Sequence, residues 1–337
     1  MTQPQAAKQQ DSRPGIALVI RQTRLRQLQQ RWGALGNVQF NMLSNRRAQA
    51  REQGLEMIRQ AERDADAEFS DLQQEDVGYQ QVMKQLQGEL DFGGAVQVVD
   101  RAFLPNFDFS RFEVVVVVGQ DGLVANAAKY VGQVPIVAVN PDPNRFDGVL
   151  LPFQVREARA TVERVLRGRF EERSVTLAQV TLQDGQRLLA FNDLFVGAAS
   201  HVSARYTLRL GANVEAQSSS GMIISTGAGS TGWMSSVLNM ARGVAQAVGK
   251  AWEVRPTLNW EDRALLWAVR EPFVSRTSQA NLVFGRIEDD SQMVIESNMS
   301  TGGVIFSDGV ESDFLEFNSG VVANICMADH QARLVVR

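Results

Sequence analysis

An α/β domain with a parallel sheet, followed by a β-rich, mostly antiparallel and sandwich-like domain, is the fold class this sequence predicts. Three observations predict it. Early apolar runs, above all Glu113–Val118 and Ile136–Asn140, are nearly free of polar residues, which marks strands buried on both faces as in a sheet flanked by helices. Beyond residue 153 short strand candidates follow one another closely, separated by turn formers such as Asp184-Gly185 and Gly211-Ala212-Asn213. The chain has 337 residues, more than one core usually holds.

The elements follow in order. Residues 1–14 form a polar, Gln-rich tail that is expected to be disordered, and "GIALVI" (Gly15–Ile20) reads as a first buried strand. From about 39 to 90 the chain is glycine-poor and charge-mixed, with Leu55, Ile58, Val82, Leu86 and Leu90 at helical spacing. This predicts a helical hairpin with its turn near "QEDVGYQ", inserted into the α/β domain. A strand over Ala95–Asp100 precedes Glu113–Val118, a helix over Leu123–Tyr130 and the strand Ile136–Asn140, so the first domain is placed at 15–152. A short helix over Val155–Arg167 leads into the β-rich domain, 153–337, whose strands include "SVTLAQVTL", "QRLLAFNDLFVG", "SARYTLRLG", "GMIIST", "RALLWAVRE", "NLVFGR", "QMVIES", "GGVIFSDG" and "VVANICMA", interrupted by one helix after Gly232.

Composition narrows the function classes. With 44% hydrophobic and 21% charged residues the chain is an ordinary globular one, and its net charge of −4 supplies no basic excess for neutralising nucleic-acid phosphates. One cysteine, Cys326, and two histidines, His201 and His330, exclude an intrachain disulfide and make Cys/His metal sites improbable. No apolar run reaches the roughly 20 residues of a membrane helix, and the N-terminus is polar rather than signal-like, so a cytoplasmic location is expected. The expected partners are small nucleotides and further copies of the chain, with no nucleic acid and no membrane span.

Two glycine turns carry the candidate chemistry. In "VVGQDGL" Gly119 and Gly122 flank Asp121 at the carboxyl end of a buried strand, where open α/β sheets bind ligands. Glycines there admit unusual backbone angles and close approach of a ligand, and the carboxylate can accept a proton or help place Mg²⁺. The bland alternative is a plain Asp-Gly turn. The second turn, within "MIISTGAGSTGWMSSVLNM", combines Gly227, Gly229 and Gly232 with the hydroxyls of Ser225, Thr226, Ser230 and Thr231 between a strand and a helix, the composition of a phosphate cradle. Its G-x-G-x-x-G spacing raises a dinucleotide βαβ unit, with Glu253 as the acidic partner, yet its surroundings predict antiparallel strands. No lysine follows the glycines as a Walker A loop needs.

In this order the motifs resemble those of the ATP-dependent NAD kinases and the superfamily they share with diacylglycerol and sphingosine kinases. The family's GGDGT corresponds to Gly119-Gln120-Asp121-Gly122-Leu123, its Asn-Glu pair to Asn192-Asp193, and its STPTGSTAY-like turn to Ser225–Trp233. The resemblance covers about residues 95–337. It implies an NAD kinase-like fold and a transfer of the ATP γ-phosphate to a ribose 2′-hydroxyl, with Asp121 as general base and Mg²⁺ arriving with ATP, no dedicated protein ligand set being identified. It further implies that Asn192 and Asp193 hold acceptor hydroxyls, and that Gly119, Gln120, Gly122, Leu123, Asn140, Ser220, Thr226, Ala228, Gly229, Ser230, Thr231, Gly232, Trp233 and Ser236 line the nucleotide.

This chain departs from the pattern at defined positions. Gln120 replaces a glycine and Leu123 a threonine, Ser220-Gly221 stands where the family has Asp-Gly, Gly227-Ala228 replaces Pro-Thr, and Gly232-Trp233 replaces Ala-Tyr. A kinase acting on another hydroxyl, as of a sugar, nucleoside or lipid, and a non-catalytic nucleotide-binding protein therefore remain alternatives. Asn140, in "VNPDPNRFDG", could face the same cleft but reads rather as a turn residue, and His201, a possible substrate contact, rather as a surface or satisfied residue.

Overall fold

The computed structural model describes residues 15–51, 54–94, 96–251 and 256–337. The expected tail (1–14), the first residue of the strand begun at Ala95, and Glu253 lie outside the described residues. Contacts divide the chain into two compact units. The first extends through Phe107 and takes in Arg111–Leu123 and Val137–Arg169, and the second comprises Asp108–Ser110, Val124–Ile136 and Phe170–Arg337. The division near residue 170, rather than 152/153, leaves the helix after "LLPF" with the α/β unit.

In the first unit the strands β1 (Ile16–Ile20), β2 (Val96–Asp100), β3 (Val114–Val118), β4 (Ile136–Asn140) and the two-residue β5 (Phe153–Gln154) run in the order β2-β1-β3-β4, with β5 beside β4. The β1–β2, β1–β3 and β4–β5 pairs are parallel. All five valines of β3 are buried, as their uninterrupted run predicts, and each contributes roughly 2 kcal/mol of apolar burial. The helix α4 (Asp121–Ala128) starts two residues earlier than expected, so Asp121 is its first residue. The helix α5 (Ala158–Leu166) follows a short 3₁₀ turn at Val155–Glu157.

The helical segment differs from the expected hairpin. It holds three helices, α1 (Arg24–Trp32), α2 (Leu35–Ala50) and α3 (Leu55–Glu89). No turn occurs at Gln74–Gln80: α3 runs through it for 35 residues, about 50 Å. The polar residues that suggested a break are interior contacts. Asp76 is buried against the Thr23 hydroxyl (2.5 Å) and the Arg26 guanidinium (3.2 Å), and the Tyr79 hydroxyl donates to the Val118 carbonyl at the end of β3 (2.8 Å). Gly78 has open space around it and costs the helix only about 1 kcal/mol.

The second unit is a two-sheet sandwich. One sheet holds β6 (Glu171–Leu182), β7 (Arg187–Ala190), β9 (Ala204–Leu210), β10 (Asn213–Ser219), β14 (Met293–Ser297) and β17 (Val322–Val336), and the other has the order β13-β12-β11-β8-β15-β16. The latter strands are β8 (Asp193–Ala198), β11 (Met222–Ser225), β12 (Ala264–Val269), β13 (Phe284–Glu288), β15 (Gly303–Ser307) and β16 (Phe314–Glu316), all paired antiparallel. Alternate residues such as Leu194, Val196, Met222, Ile224 and Ile305 join Leu208, Met293 and Ile325 in one core. The opposite face of the second sheet takes the helix α6 (Trp233–Ala247), whose Met234 and Leu238 pack on Ile223, Leu266 and Ala268. The run "QRLLAFNDLFVG" is two strands, broken at Phe191-Asn192, and the polar strand β10 carries no apolar run that announces it.

Candidate active site

In the first unit the site is the turn after β3. Asp121 Oδ1 accepts from the Leu150 N–H (2.8 Å) and Oδ2 from the Val149 N–H (3.2 Å). Each oxygen keeps a second lone pair, so the carboxylate is aimed and still able to accept. Gln120 and Gly122 are exposed, while Gly119 and Leu123 are buried. Neither glycine has positive φ, which corrects the expectation that they supply unusual backbone angles. A Cβ at Gly119 would meet the Leu123 Cδ2 at 2.9 Å, and one at Gly122 would meet nothing within 4 Å. Gly119 thus reflects packing, and Gly122 leaves open space over the helix start.

The long helix α3 braces this turn. Arg145, in the loop after β4, makes a two-pronged pair with Asp71 of α3 at 2.7 Å for each bond, and farther along that loop come the two N–H groups that grip Asp121. The pairing holds the Asp71 carboxyl below its ordinary range. Tyr79 accepts from the Arg21 N–H (3.1 Å) while it donates to Val118, and burial pushes its phenol up to about 12. Asn140 is buried and bonded within its loop: its amide donates to the Phe146 carbonyl (2.9 Å) and its oxygen accepts from the Asp142 N–H (3.0 Å). These are the bonds of a turn residue.

In the second unit the corner Phe191-Asn192-Asp193 is held by a residue that the sequence did not single out. Asp308, just after β15, accepts from three consecutive N–H groups: Phe191 (3.1 Å), Asn192 (2.6 Å) and Asp193 (3.2 Å). Such a run of N–H donors forms an anion nest. The Lys129 ammonium lies 3.7 Å from Asp308, with side chains only 1% and 3% exposed, and donates to the Ser307 hydroxyl (2.8 Å). Burial raises the Asp308 carboxyl, against the Lys129 charge and the three N–H donors that hold it down.

This clamp leaves Asp193 poised. Its Oδ1 is buried and makes no hydrogen bond, an expensive condition for a carboxylate. Burial lifts its pKa to about 7, opposed by the Ser225 hydroxyl and assisted by the nearby Asp308 charge. A half-buried carboxyl without a full set of donors is what an incoming hydroxyl can satisfy.

The second glycine turn packs onto the same corner. Thr226 donates its N–H to the Asn192 carbonyl (2.9 Å) and its hydroxyl to the Phe191 carbonyl (2.5 Å), and accepts from the Gly229 N–H (3.2 Å). Ser230 donates to the Gly227 carbonyl (2.7 Å). A Cβ at Gly227 would collide with the Asn259 carbonyl, and one at Gly229 with the Asn192 carbonyl. Two glycines and the hydroxyls of Ser225, Thr226 and Ser230 are therefore spent on packing, which narrows the expected phosphate cradle. Ala228 and Trp233 are half-buried, and Thr231, Gly232 and Ser236 face solvent. The flanking strands β8 and β12 are antiparallel to β11, which excludes the dinucleotide βαβ unit.

At position 220 the Ser220 hydroxyl donates to the Glu271 carboxylate. Glu271 has φ +48°, a left-handed conformation that costs an L-residue about 1–2 kcal/mol. With Phe195, His201, Trp233, Arg270 and Phe306 it lines a cavity of about 760 Å³. Trp233 stacks on Phe195 with ring centres 5.7 Å apart and planes at 9°, and Phe306 lies 4.8 Å from Phe195. Phe306, Arg270, Glu271, Asp308 and Lys129 all escaped motif reading. A carboxylate after "VIFS" and the charged pair ending "LLWAV" were the only signals available.

A parallel α/β unit is thus followed by an antiparallel sandwich whose glycine turn packs against an Asn-Asp corner. A stretch of 132 residues is 37% identical to the NAD kinase of Azoarcus sp. (strain BH72), covering 37% of this chain and 44% of that relative. The matched stretch thus spans less than half of the relative's length. The structure of yeast NADH kinase complexed with NADH has a TM-score of 0.54 at 16% identity, over 77% of this chain and 80% of that one. The NAD kinase from Archaeoglobus fulgidus in complex with ATP has a TM-score of 0.51 at 15% identity, over 76% and 89%. At such identities the likeness is one of fold. No family model matches the chain. The chain is similar to an NAD kinase in sequence over that stretch, and to NAD and NADH kinases in fold.

Proposed function

We propose that the protein is an NAD kinase-like phosphotransferase that moves the γ-phosphate of ATP to the 2′-hydroxyl of NAD or a related nucleotide. The observation that carries this reading is the Asn192-Asp193 corner: a buried, under-satisfied carboxylate set by a three-N–H clamp and closed over by the Ser225–Trp233 turn. Asp193 accepts from a ribose hydroxyl, and the Asn192 side-chain amide adds a donor and an acceptor. Asp121, fixed by the Val149 and Leu150 N–H groups, accepts the acceptor hydroxyl's proton on a remaining lone pair. Positioning and charge stabilisation carry most of such a transfer.

Among the described residues no three His, Cys, Asp or Glu side chains converge as a metal set. The residues fit a Mg²⁺ ion that is carried by the ATP phosphates, for which one or two carboxylates suffice, with Asp121 as the group available. When bound, the ion would neutralise charge on the transferred phosphoryl group. Among the described residues no helix is long and apolar enough to cross a membrane. On this reading the protein works in the cytoplasm, where its nucleotides are, as a homo-oligomer.

The test is NADP formation from ATP, Mg²⁺ and NAD. Wild-type protein is expected to form NADP and Asp121→Asn to lose 10²-fold or more of kcat, on the order of what a general base supplies. Absence of NADP from wild-type protein, or a variant as active as wild type, sinks the reading. One observation favours a non-catalytic binder: both Asp121 oxygens already hold N–H donors. Nucleotide binding by calorimetry without any Asp121-dependent transfer is the outcome that selects it.

A further inference from the structure

Among the described residues, the cavity beside Trp233 holds a cation with no counter-ion. Arg270 follows β12 directly, and its backbone is pinned on both sides: its N–H donates to the Gly221 carbonyl (2.8 Å) and its carbonyl accepts from the Ser220 N–H (2.9 Å). From that fixed point the guanidinium leans on two rings, 5.3 Å from the Trp233 centroid and 6.0 Å from that of Phe195. Glu271, the adjacent carboxylate, is taken by the Ser220 hydroxyl. Among the described residues Arg270 makes neither an ion pair nor a side-chain hydrogen bond.

We propose that Arg270 reads an oxyanion in this cavity, so that the site selects a flat ring carrying a phosphate over the same ring without one. A guanidinium supported by aromatic faces keeps its planar fork of N–H donors for a two-pronged contact with phosphate oxygens. The same rings supply apolar area for a base, and about 760 Å³ lies within the range of small-molecule sites. Glu271 at φ +48° marks the corner where the backbone accepts strain, a condition that clusters at ligand sites. Only the ligand's being a nucleotide rests on the kinase reading. Arg270 is a specificity residue, and the phosphate is what it reads.

The test is calorimetry on the full chain with adenosine, AMP and inorganic pyrophosphate. Wild-type protein is expected to bind AMP about tenfold or more tightly than adenosine, the gain of one charge-assisted contact, and to bind pyrophosphate more weakly than AMP. Arg270→Gln is expected to erase the AMP preference with adenosine affinity unchanged, and Arg270→Lys to give an intermediate preference. The lysine variant also serves if the glutamine variant does not fold, which thermal unfolding reports. An AMP preference as large in the variants as in wild type overturns the proposal, as does pyrophosphate binding as tight as AMP, which assigns Arg270 to phosphate chains without a ring. A protein that shows the ratios and forms no NADP retires the kinase reading alone. One that forms NADP while Arg270→Gln keeps the preference retires this inference alone.

Discussion

The two glycine turns look alike in the sequence and are built differently. At Gly119–Gly122 the glycines neighbour a flexible leucine tip and open space, and the functional group, Asp121, is held from outside by the loop N–H groups of Val149 and Leu150. In the Ser225–Trp233 turn Gly227 and Gly229 are pressed against carbonyls of other segments, and the Thr226 and Ser230 hydroxyls are bonded inward. The first turn spends one glycine, Gly122, on access. The second spends Gly227 and Gly229 on packing, and its functional value lies in what it covers, the Asn192-Asp193 corner.

The largest effect should come from testing that packing. Gly229→Ala puts a methyl group onto the Asn192 carbonyl, a backbone atom that the Thr226 N–H and the Asp308 clamp prevent from moving. The expected cost is about 3 kcal/mol, a Tm drop on the order of 10 °C, measured by thermal unfolding. A fall of less than about 2 °C would mean that the turn is looser than its contacts imply, and would return Gly229 to the role of phosphate cradle.

An intermediate effect concerns the corner itself. Asp193, with its pKa raised to about 7 against an ordinary value of 3.8, binds its proton more tightly in the folded chain. The protonated form is favoured on folding, so this group's contribution to stability is fully present below about pH 4 and is lost as pH rises through about 7. Ligand binding runs the other way: a ribose hydroxyl donates best to the ionised carboxylate. Affinity for NAD should rise with pH between about 6 and 8, and Asp193→Asn should flatten that dependence while weakening binding, as read by calorimetry at constant ionic strength. An unflattened profile in the variant would assign the titration elsewhere.

Legibility in the sequence followed the range of the interactions involved. The buried strands, the change from parallel to antiparallel texture and the order of the motifs were readable because local patterning decides them. The unbroken course of α3 was not, because Asp76 and Tyr79 are polar residues whose partners, Thr23, Arg26 and Val118, lie 39 to 53 residues away. The Asp308 clamp was invisible for the same reason, its three N–H partners being more than 100 residues distant. Asn192-Asp193 could be named from a motif, yet why the pair is poised could not. The contact between the Ser220 hydroxyl and Glu271 joins residues 51 apart in the chain, and it was unreadable for the same reason.

The smallest effect is the most discriminating for the first turn. Gly122 is the second residue of α4, exposed, without positive φ and with nothing within 4 Å of where an added Cβ would sit. On folding grounds alone, Gly122→Ala should stabilise the protein by about 0.5 kcal/mol, since alanine loses less backbone entropy in a helix. If the open space is where phosphate oxygens approach the helix start, the same methyl group should raise the KM for ATP several-fold while Tm rises. A glycine kept for folding cannot give that opposition of signs. Unfolding and steady-state kinetics on one variant therefore decide it: higher Tm with unchanged KM makes Gly122 a turn residue, and higher Tm with higher KM makes it a seat for phosphate beside Asp121.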